Sequence, residues 1–139
     1  MFCKATITGL FVLCACGSSL PSPALAEHPR AAYEEVPYPA PAALVETVPP
    51  QPEIDGAVWV DGEWVFRGKY YVWERGGWFV PPAGARFAPK ADRYLPDGRL
   101  MRAPSGWYDA QNQAMGAPKP VAPAETPPNE VTSELQTAR

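Results

Sequence analysis

The chain has 139 residues, which is enough for one small domain but not for an enzyme fold with a deep cleft. Its formal net charge is −3, so it lacks the basic face that a nucleic-acid partner requires. There is one histidine, His28, and the three cysteines are Cys3, Cys14 and Cys16. These counts disfavour acid–base, thiol and metal chemistry, and they predict a non-catalytic protein without a cofactor or a metal site.

Residues 1–15 have the pattern of an export signal, because a short positive start is followed by an apolar run too short to span a bilayer. Residues 13–16 (LCAC) resemble a bacterial lipobox with Cys16 as the acylated residue, and Gly17 after it is similar to the outer-membrane sorting pattern. The alternative is an A-x-A cleavage site ending at Ala26, which gives a periplasmic or secreted protein. Both interpretations place the chain in a bacterial cell envelope.

Proline content divides the rest of the chain. Residues 16–52 are rich in proline and predict an extended polyproline II segment that serves as a tether or as a lid. Residues 53–108 are predicted to form a small tryptophan-rich β domain, since 53–80 contain no proline and hold four of the five tryptophans. Residues 109–139 contain no aromatic residue and many prolines, and we expect a disordered C-terminal tail.

A six-residue motif, W-x-x-G-x-W, occurs at residues 59–64 and again at 73–78. Asp61-Gly62 predicts a hairpin turn that sets Trp59 opposite Trp64, and Arg75-Gly76 would likewise set Trp73 opposite Trp78. A third turn at Gly68-Lys69 would pair Trp64 with Trp73. These turns predict a four-stranded antiparallel meander with its tryptophans in one row.

Neither face of this meander reads as a solvent face, so both faces need cover. The candidates for this cover are the chain's own proline arms, a second copy of the protein and a ligand. A further hairpin is expected at residues 95–99 (LPDGR), and with Trp107 and Tyr108 it is the preferred cover for one face. The predicted fold class is therefore mainly β: a small antiparallel four-stranded meander plus a further hairpin, flanked by proline-rich disordered arms.

The doubled motif, with Tyr71-Val72-Trp73 leading into its second copy, resembles the bacterial WXXGXW (YXWGXW) repeat family. The resemblance covers roughly residues 57–80. It implies a short, exported, proline-rich lipoprotein with a β fold, but no activity.

The sequence is compatible with three functions. The first is a non-catalytic cell-envelope lipoprotein, bound to the outer membrane through Cys16, whose β module does structural or protein-interaction work. The second is a module that binds glycan or peptidoglycan on exposed tryptophans. The third is a hydrolase using Glu63 and Glu74, which are opposite in the predicted register, although neutralisation by Lys69, Arg67 or Arg75 is the simpler interpretation. The candidate structural or interaction residues are Trp59, Gly62, Trp64, Trp73, Gly76 and Trp78. The expected partners are the membrane and an envelope protein or glycan.

Overall fold

The computed structural model describes residues 19–125, and almost all of its regular structure is β. The strands are β1 (Glu34–Val36), β2 (Val58–Val60), β3 (Glu63–Arg67), β4 (Tyr70–Glu74), β5 (Gly77–Phe79), β6 (Arg86–Ala88), β7 (Ala91–Tyr94), β8 (Leu100–Ala103), β9 (Gly106–Tyr108), β10 (Ala114–Met115) and β11 (Ala122–Pro123), preceded by one 3₁₀ turn at Arg30–Ala32. They form small antiparallel sheets, which confirms the predicted mainly β class. Within residues 19–125 we find no helix with the length and apolar character needed to cross a membrane.

One long hairpin forms the centre of the fold. Strands β3 and β4 pair around the turn at Gly68-Lys69, and β2 pairs with β5 further out. Both pairings have the same register, so a single ladder runs from Arg67↔Tyr70 to Val58↔Phe79 and is interrupted only at residues 61–62 and 75–76.

The predicted pairing of Trp64 with Trp73 across a Gly68-Lys69 turn is confirmed, and Gly68 has the positive φ of 70° that a tight turn uses. The predicted pairing of Trp59 with Trp64 is wrong, because Trp59 is opposite Trp78. The same ladder excludes the pairing of Trp73 with Trp78. One turn suffices because the two motifs run antiparallel past each other, so the first tryptophan of each meets the last tryptophan of the other.

Neither motif glycine, Gly62 or Gly76, has a positive φ. Asp61-Gly62 and Arg75-Gly76 are therefore not the hairpin turns that the sequence predicted. They form the break in the middle of the long ladder, and β2 and β3 are successive parts of one arm of the hairpin rather than neighbouring strands of a meander.

The second predicted hairpin is present. Strands β7 and β8 pair up to Tyr94↔Leu100 around residues 95–99. The turn is closed by Gly98 N, which donates to Leu95 O at 2.9 Å, and Gly98 has a φ of 86°. The predicted hairpin at residues 95–99 is therefore confirmed, and the glycine of its Pro-Asp-Gly turn is in the left-handed region.

This second layer packs on the long hairpin as expected. The ring of Trp107 in β9 lies 6.3 Å from that of Phe79 in β5. Arg102 in β8 is only 3% exposed; its Nη2 donates to Trp64 O at 3.0 Å and its Nη1 to Asp92 at 3.0 Å. A buried guanidinium with carbonyl and carboxylate partners joins the two layers.

Residues 109–125 are ordered, in contrast to the predicted disordered tail. Strand β10 pairs with β9, and β11 pairs with the outer edge of β5. Ala124 packs in the core cluster with Ala57, Trp59 and Trp78. The physical reason is that β5 offers an unpaired edge, where Val121 N and Ala124 N donate to Trp78 O and Gly76 O at 2.8 Å each. Residues 126–139 lie outside the described residues.

The proline-rich arm is also docked, starting at Pro21. Trp59 N donates to Pro21 O at 2.7 Å, and Phe87 N donates to Ala24 O at 2.8 Å. Further along, β1 pairs with β8. Most of the predicted tether is therefore part of the folded body, and the predicted signal 1–15 and Cys16 lie outside the described residues.

Candidate functional site: an aromatic groove and its carboxylate notch

Residues 38–49, here called the strap, lie along the long hairpin. At the turn end, Tyr38 Oη donates to Lys69 O at 2.8 Å, and Tyr71 Oη donates to Tyr38 O at 2.9 Å. At the open end, Trp78 Nε1 donates to Pro49 O at 3.0 Å. A polyproline II strap of this length spans ~34 Å, and the hairpin arm 69–78 spans ~30 Å. The strap therefore runs extended along the whole arm.

The hairpin side chains that hold the strap define an aromatic groove, whose members are Trp64, Phe66, Tyr71, Trp73 and Trp78. Trp64 Nε1 donates to Ala42 O at 2.9 Å, and Trp73 Nε1 donates to Glu46 Oε1 at 2.8 Å. The ring of Tyr38 lies edge-on to the rings of Phe66 and Tyr71, with centroids 5.9 and 5.6 Å away. Three of the four indole N–H groups of the two motifs thus bind the strap, while the fourth, of Trp59, donates to Asp61 at 2.7 Å.

The Tyr71 hydroxyl acts as a donor in this groove. Burial raises the pKa of Tyr71 above its ordinary value, partly offset by the nearby Arg102 guanidinium. The phenol therefore stays protonated at neutral pH, as its hydrogen bond to the Tyr38 carbonyl requires.

Side chains, and not a backbone ladder, hold the strap on the hairpin, while Thr47 of the strap exchanges two backbone hydrogen bonds with Glu125, at 3.1 and 3.2 Å. Within the described part of the chain, no backbone–backbone hydrogen bond joins residues 38–49 to the hairpin. Prolines 39, 41 and 49 have no N–H to give, so the carbonyls of the strap are its available backbone groups. Aromatic side chains that donate to the carbonyls of an extended proline-rich segment are the usual mode of polyproline recognition.

At the break in the ladder, three N–H groups converge on the Glu46 carboxylate. Gly62 N and Gly76 N donate to Glu46 Oε2 at 3.1 and 2.9 Å, and Trp73 Nε1 donates to Oε1. We call these three donors the carboxylate notch. Hydrogen bonds to an ionised acceptor are stronger than neutral ones, so the notch is the most specific contact between strap and groove.

The notch explains why both motifs carry glycine. A Cβ on Gly76 would lie 2.6 Å from Val60 O and 2.7 Å from Gly62 N, which are backbone atoms. A Cβ on Gly62 would lie 2.5 Å from Glu46 Oε2 and 2.6 Å from the Trp73 ring. The motif glycines are therefore required for space, so that the backbone N–H groups can reach the carboxylate.

A cavity of about 280 Å³ opens beside the notch. Its lining includes Glu46, Trp59, Trp73 and Lys90. Lys90 is exposed and makes no ion pair with any residue in the range 19–125. The free volume next to the carboxylate is thus lined by the Trp59 and Trp73 rings and by the Lys90 ammonium group.

All six predicted structural or interaction residues belong to this region. Trp64, Trp73 and Trp78 hold the strap, Gly62 and Gly76 form the notch, and Trp59 packs on Trp78 with ring centroids 5.6 Å apart. Sequence reasoning missed Glu46, the ligand of the notch. A signal was present, because Glu46 is the one charged residue between positions 36 and 52.

The two glutamates are opposite each other, as predicted, but they lie in different surroundings. Glu63 is 6% exposed and accepts hydrogen bonds from Ser105 N and Oγ at 2.9 and 2.5 Å. Glu74 is exposed and pairs with Arg67, which is one of the neutralising residues considered from the sequence. One carboxylate is thus bound in the interior and the other is paired with a cation at the surface.

His28 is also engaged within the protein. Its Nε2 donates to Pro89 O at 2.7 Å, and its Nδ1 lies 3.1 Å from the Tyr108 hydroxyl. No cluster of three or more His, Cys, Asp or Glu suited to a metal ion occurs among residues 19–125.

In comparisons with known proteins, no family model, curated protein or solved structure matches this chain. The resemblance to the WXXGXW repeat family stays a prediction.

Proposed function

We propose that the protein is a non-catalytic lipoprotein of the bacterial cell envelope, acylated at Cys16, whose tryptophan-rich β module does structural or protein-interaction work by holding a proline-rich segment in its aromatic groove. The observation that carries this proposal is the use of the motif indoles: three donate to the strap and the fourth to Asp61. Their polar groups are thus directed at protein atoms.

The same observation weighs against a glycan platform. A stacking platform for sugar rings needs indole faces open to solvent, whereas Trp59 and Trp78 are 6% and 0% exposed. Trp64 and Trp73 are half-buried, and both donate to the strap. The groove therefore suits a peptide backbone, whose carbonyls accept from the indoles, better than a saccharide.

The docked N-terminal segment supports Cys16 over Ala26 as the processing site. Cleavage after Ala26 would remove the carbonyls of Pro21 and Ala24, which accept from Trp59 N and Phe87 N, and the buried ring of Pro23. Loss of these two hydrogen bonds would cost about 1 kcal/mol each. Cleavage before Cys16 leaves all of these contacts in place.

An acylated Cys16 would also fix where the module sits. The Pro21 carbonyl already accepts a hydrogen bond from Trp59 N in β2. Only the residues between Cys16 and Pro21 would therefore link the lipid to the fold. A chain of this length reaches at most ~18 Å. The proposal thus places the module against the membrane surface, in contrast to the long flexible tether expected from proline content.

Mass spectrometry of the mature N-terminus tests the proposal. We expect a diacylglyceryl-modified Cys16, retention in the outer-membrane fraction, and release of the protein by Cys16→Ser. Cys14→Ser is the matched control and should stay membrane-bound. An unmodified N-terminus at Glu27 would overturn the lipoprotein assignment. Tryptophan emission that is blue and unchanged by peptidoglycan fragments is expected, whereas a saccharide-dependent shift would favour the glycan alternative.

A further inference from the structure

We propose that the carboxylate notch is a binding site for an acidic side chain presented by an extended proline-rich segment, and that the strap of a second copy of this chain can occupy it. The inference rests on the proposed interaction function and names the partner of the same groove. The strap seen in the groove is then an internal ligand, and exchange between copies is the intermolecular form of the same contact.

The geometry of the notch is that of a built anion site. Two main-chain N–H groups and one indole N–H point at a single carboxylate, at 2.8 to 3.1 Å. The donors belong to the hairpin, whose ladder continues on both sides of the notch, so they keep their positions whether or not Glu46 is present. The chemical class of the ligand is therefore a carboxylate, and the aromatic donors on either side select an extended segment with free carbonyls.

The attachment of the strap permits exchange. Because no backbone ladder ties residues 38–49 to the hairpin, release leaves the hairpin strands intact. It breaks the side-chain contacts and the two backbone hydrogen bonds between Thr47 and Glu125. The outer surface of the strap is open to solvent, with Val45 85% exposed. The cavity beside the notch has Lys90 on its wall, and it gives an incoming carboxylate room and an attractive charge while the internal strap departs.

A second copy is the occupant that these observations favour. Every copy carries a segment of the required chemistry, with Glu46 at the correct distance from its prolines. The connection from the strap to β2 is short and contains Pro50 and Pro52, and short strained hinge loops favour exchange of an arm between copies. Anchoring to one membrane would also hold copies close together, which raises their effective concentration.

The first experiment tests the ligand chemistry on the purified mature protein. In Glu46→Ala the notch loses its internal carboxylate, and a synthetic peptide with the sequence of residues 37–50 is added. This peptide contains no tryptophan, so emission changes report the protein alone. We expect the peptide with Glu at position 46 to bind about 10- to 100-fold tighter than the same peptide with Gln, since hydrogen bonds to a charged group are lost. Formate should partly restore the thermal stability of the variant, while chloride should not.

The matched control is Glu53→Ala, which removes an exposed carboxylate from the same part of the chain and leaves the strap in place. It should bind the Glu peptide at least tenfold more weakly than Glu46→Ala does, because its own strap competes for the groove. Equal binding of the Glu and Gln peptides to Glu46→Ala, or no binding of either, would overturn the carboxylate site.

The second experiment tests the occupant. Light and isotope-labelled copies of the wild-type protein are mixed, warmed below the unfolding transition and examined by native mass spectrometry. Mixed dimers that disappear in Glu46→Ala support exchange of the strap. Peptide binding without mixed dimers overturns the second copy as partner and leaves the carboxylate site established. Both experiments use purified protein, so their failure is distinct from a failure of the lipoprotein assignment, which is read at Cys16.

Discussion

The middle of the long hairpin and its turn both depend on glycine, but for different physical reasons. At the turn, Gly68 has a φ of 70°, and a Cβ there would meet nothing within 4 Å. In the middle, Gly62 and Gly76 do not have positive φ, yet a Cβ on either would lie within 2.7 Å of a neighbouring atom. The turn needs a backbone conformation, whereas the middle needs empty space.

This difference teaches what the W-x-x-G-x-W motif encodes. A glycine between two tryptophans suggests a reversal of the chain, yet here it opens the backbone to a carboxylate from another segment. The tryptophans are paired across strands in both interpretations, so tryptophan pairing by itself does not distinguish them. The glycines distinguish the two interpretations. Substitutions of glycine at the turn and in the middle of the hairpin should therefore have different effects on stability.

The largest effect is expected for Gly76→Ala. The new Cβ would lie 2.6 Å from Val60 O and 2.7 Å from Gly62 N, which are backbone atoms and not the end of a flexible side chain. We expect a loss of about 3 kcal/mol in the free energy of unfolding, measured by urea denaturation. Gly116→Ala is the control, since its Cβ meets nothing within 4 Å and it has no positive φ. Equal stability of the two variants would refute the requirement for space.

The next largest effect is expected for Glu46→Ala. It leaves Gly62 N, Gly76 N and Trp73 Nε1 without their acceptor, which should cost about 2 kcal/mol. Loosening of the strap should also shift tryptophan emission to the red, because Trp64 and Trp73 become exposed. Glu53→Ala should change neither the unfolding midpoint nor the emission. A stable variant with unchanged emission would mean that the notch does not hold the strap.

Gly68→Ala should cost about 1 kcal/mol, because an L-residue is strained at positive φ although there is room for its side chain. Gly68→Asn should recover part of this loss, since asparagine tolerates the left-handed region. At Gly76 the order should be reversed, with asparagine worse than alanine because it is larger. The same order at both positions would remove the distinction between the two kinds of glycine.

The smallest effect is expected at Glu74. Its ion pair with Arg67 is exposed, so Glu74→Gln should change stability by less than about 0.5 kcal/mol. Glu63→Gln should cost more, about 1 kcal/mol, because it weakens two hydrogen bonds to a buried carboxylate. Thermal unfolding of both variants tests this order. A catalytic pair would be recognised by the loss of a hydrolytic activity in either variant.

Several features could be predicted from sequence because they depend on near neighbours in the chain. The turns at Gly68 and Gly98 follow from residue types with known backbone preferences. The cross-strand pair of Trp64 and Trp73 follows from the turn between them. The opposition of Glu63 and Glu74 follows from the same register.

Other features could not be predicted, because they depend on segments distant in sequence. Asp61-Gly62 satisfies the local rule for a hairpin turn, but pairing with the second motif on both sides of this dipeptide made one long arm with a break at 61–62 more favourable. The tail at 114–123 has the composition of a disordered segment, yet the edges of β9 and β5 give its backbone partners. Composition indicates the conformational preference of an isolated segment, but it does not identify the strand edge with which that segment pairs.

The sequence by itself determined a small, mainly β chain with two glycine turns and paired tryptophans, because backbone preference and alternation act over a few residues. The tertiary structure alone decided that the proline arm is the ligand of the aromatic groove and that Glu46 fills the notch. That contact joins positions 16 and 30 residues apart, and it depends on three donors converging within hydrogen-bond distance of one carboxylate.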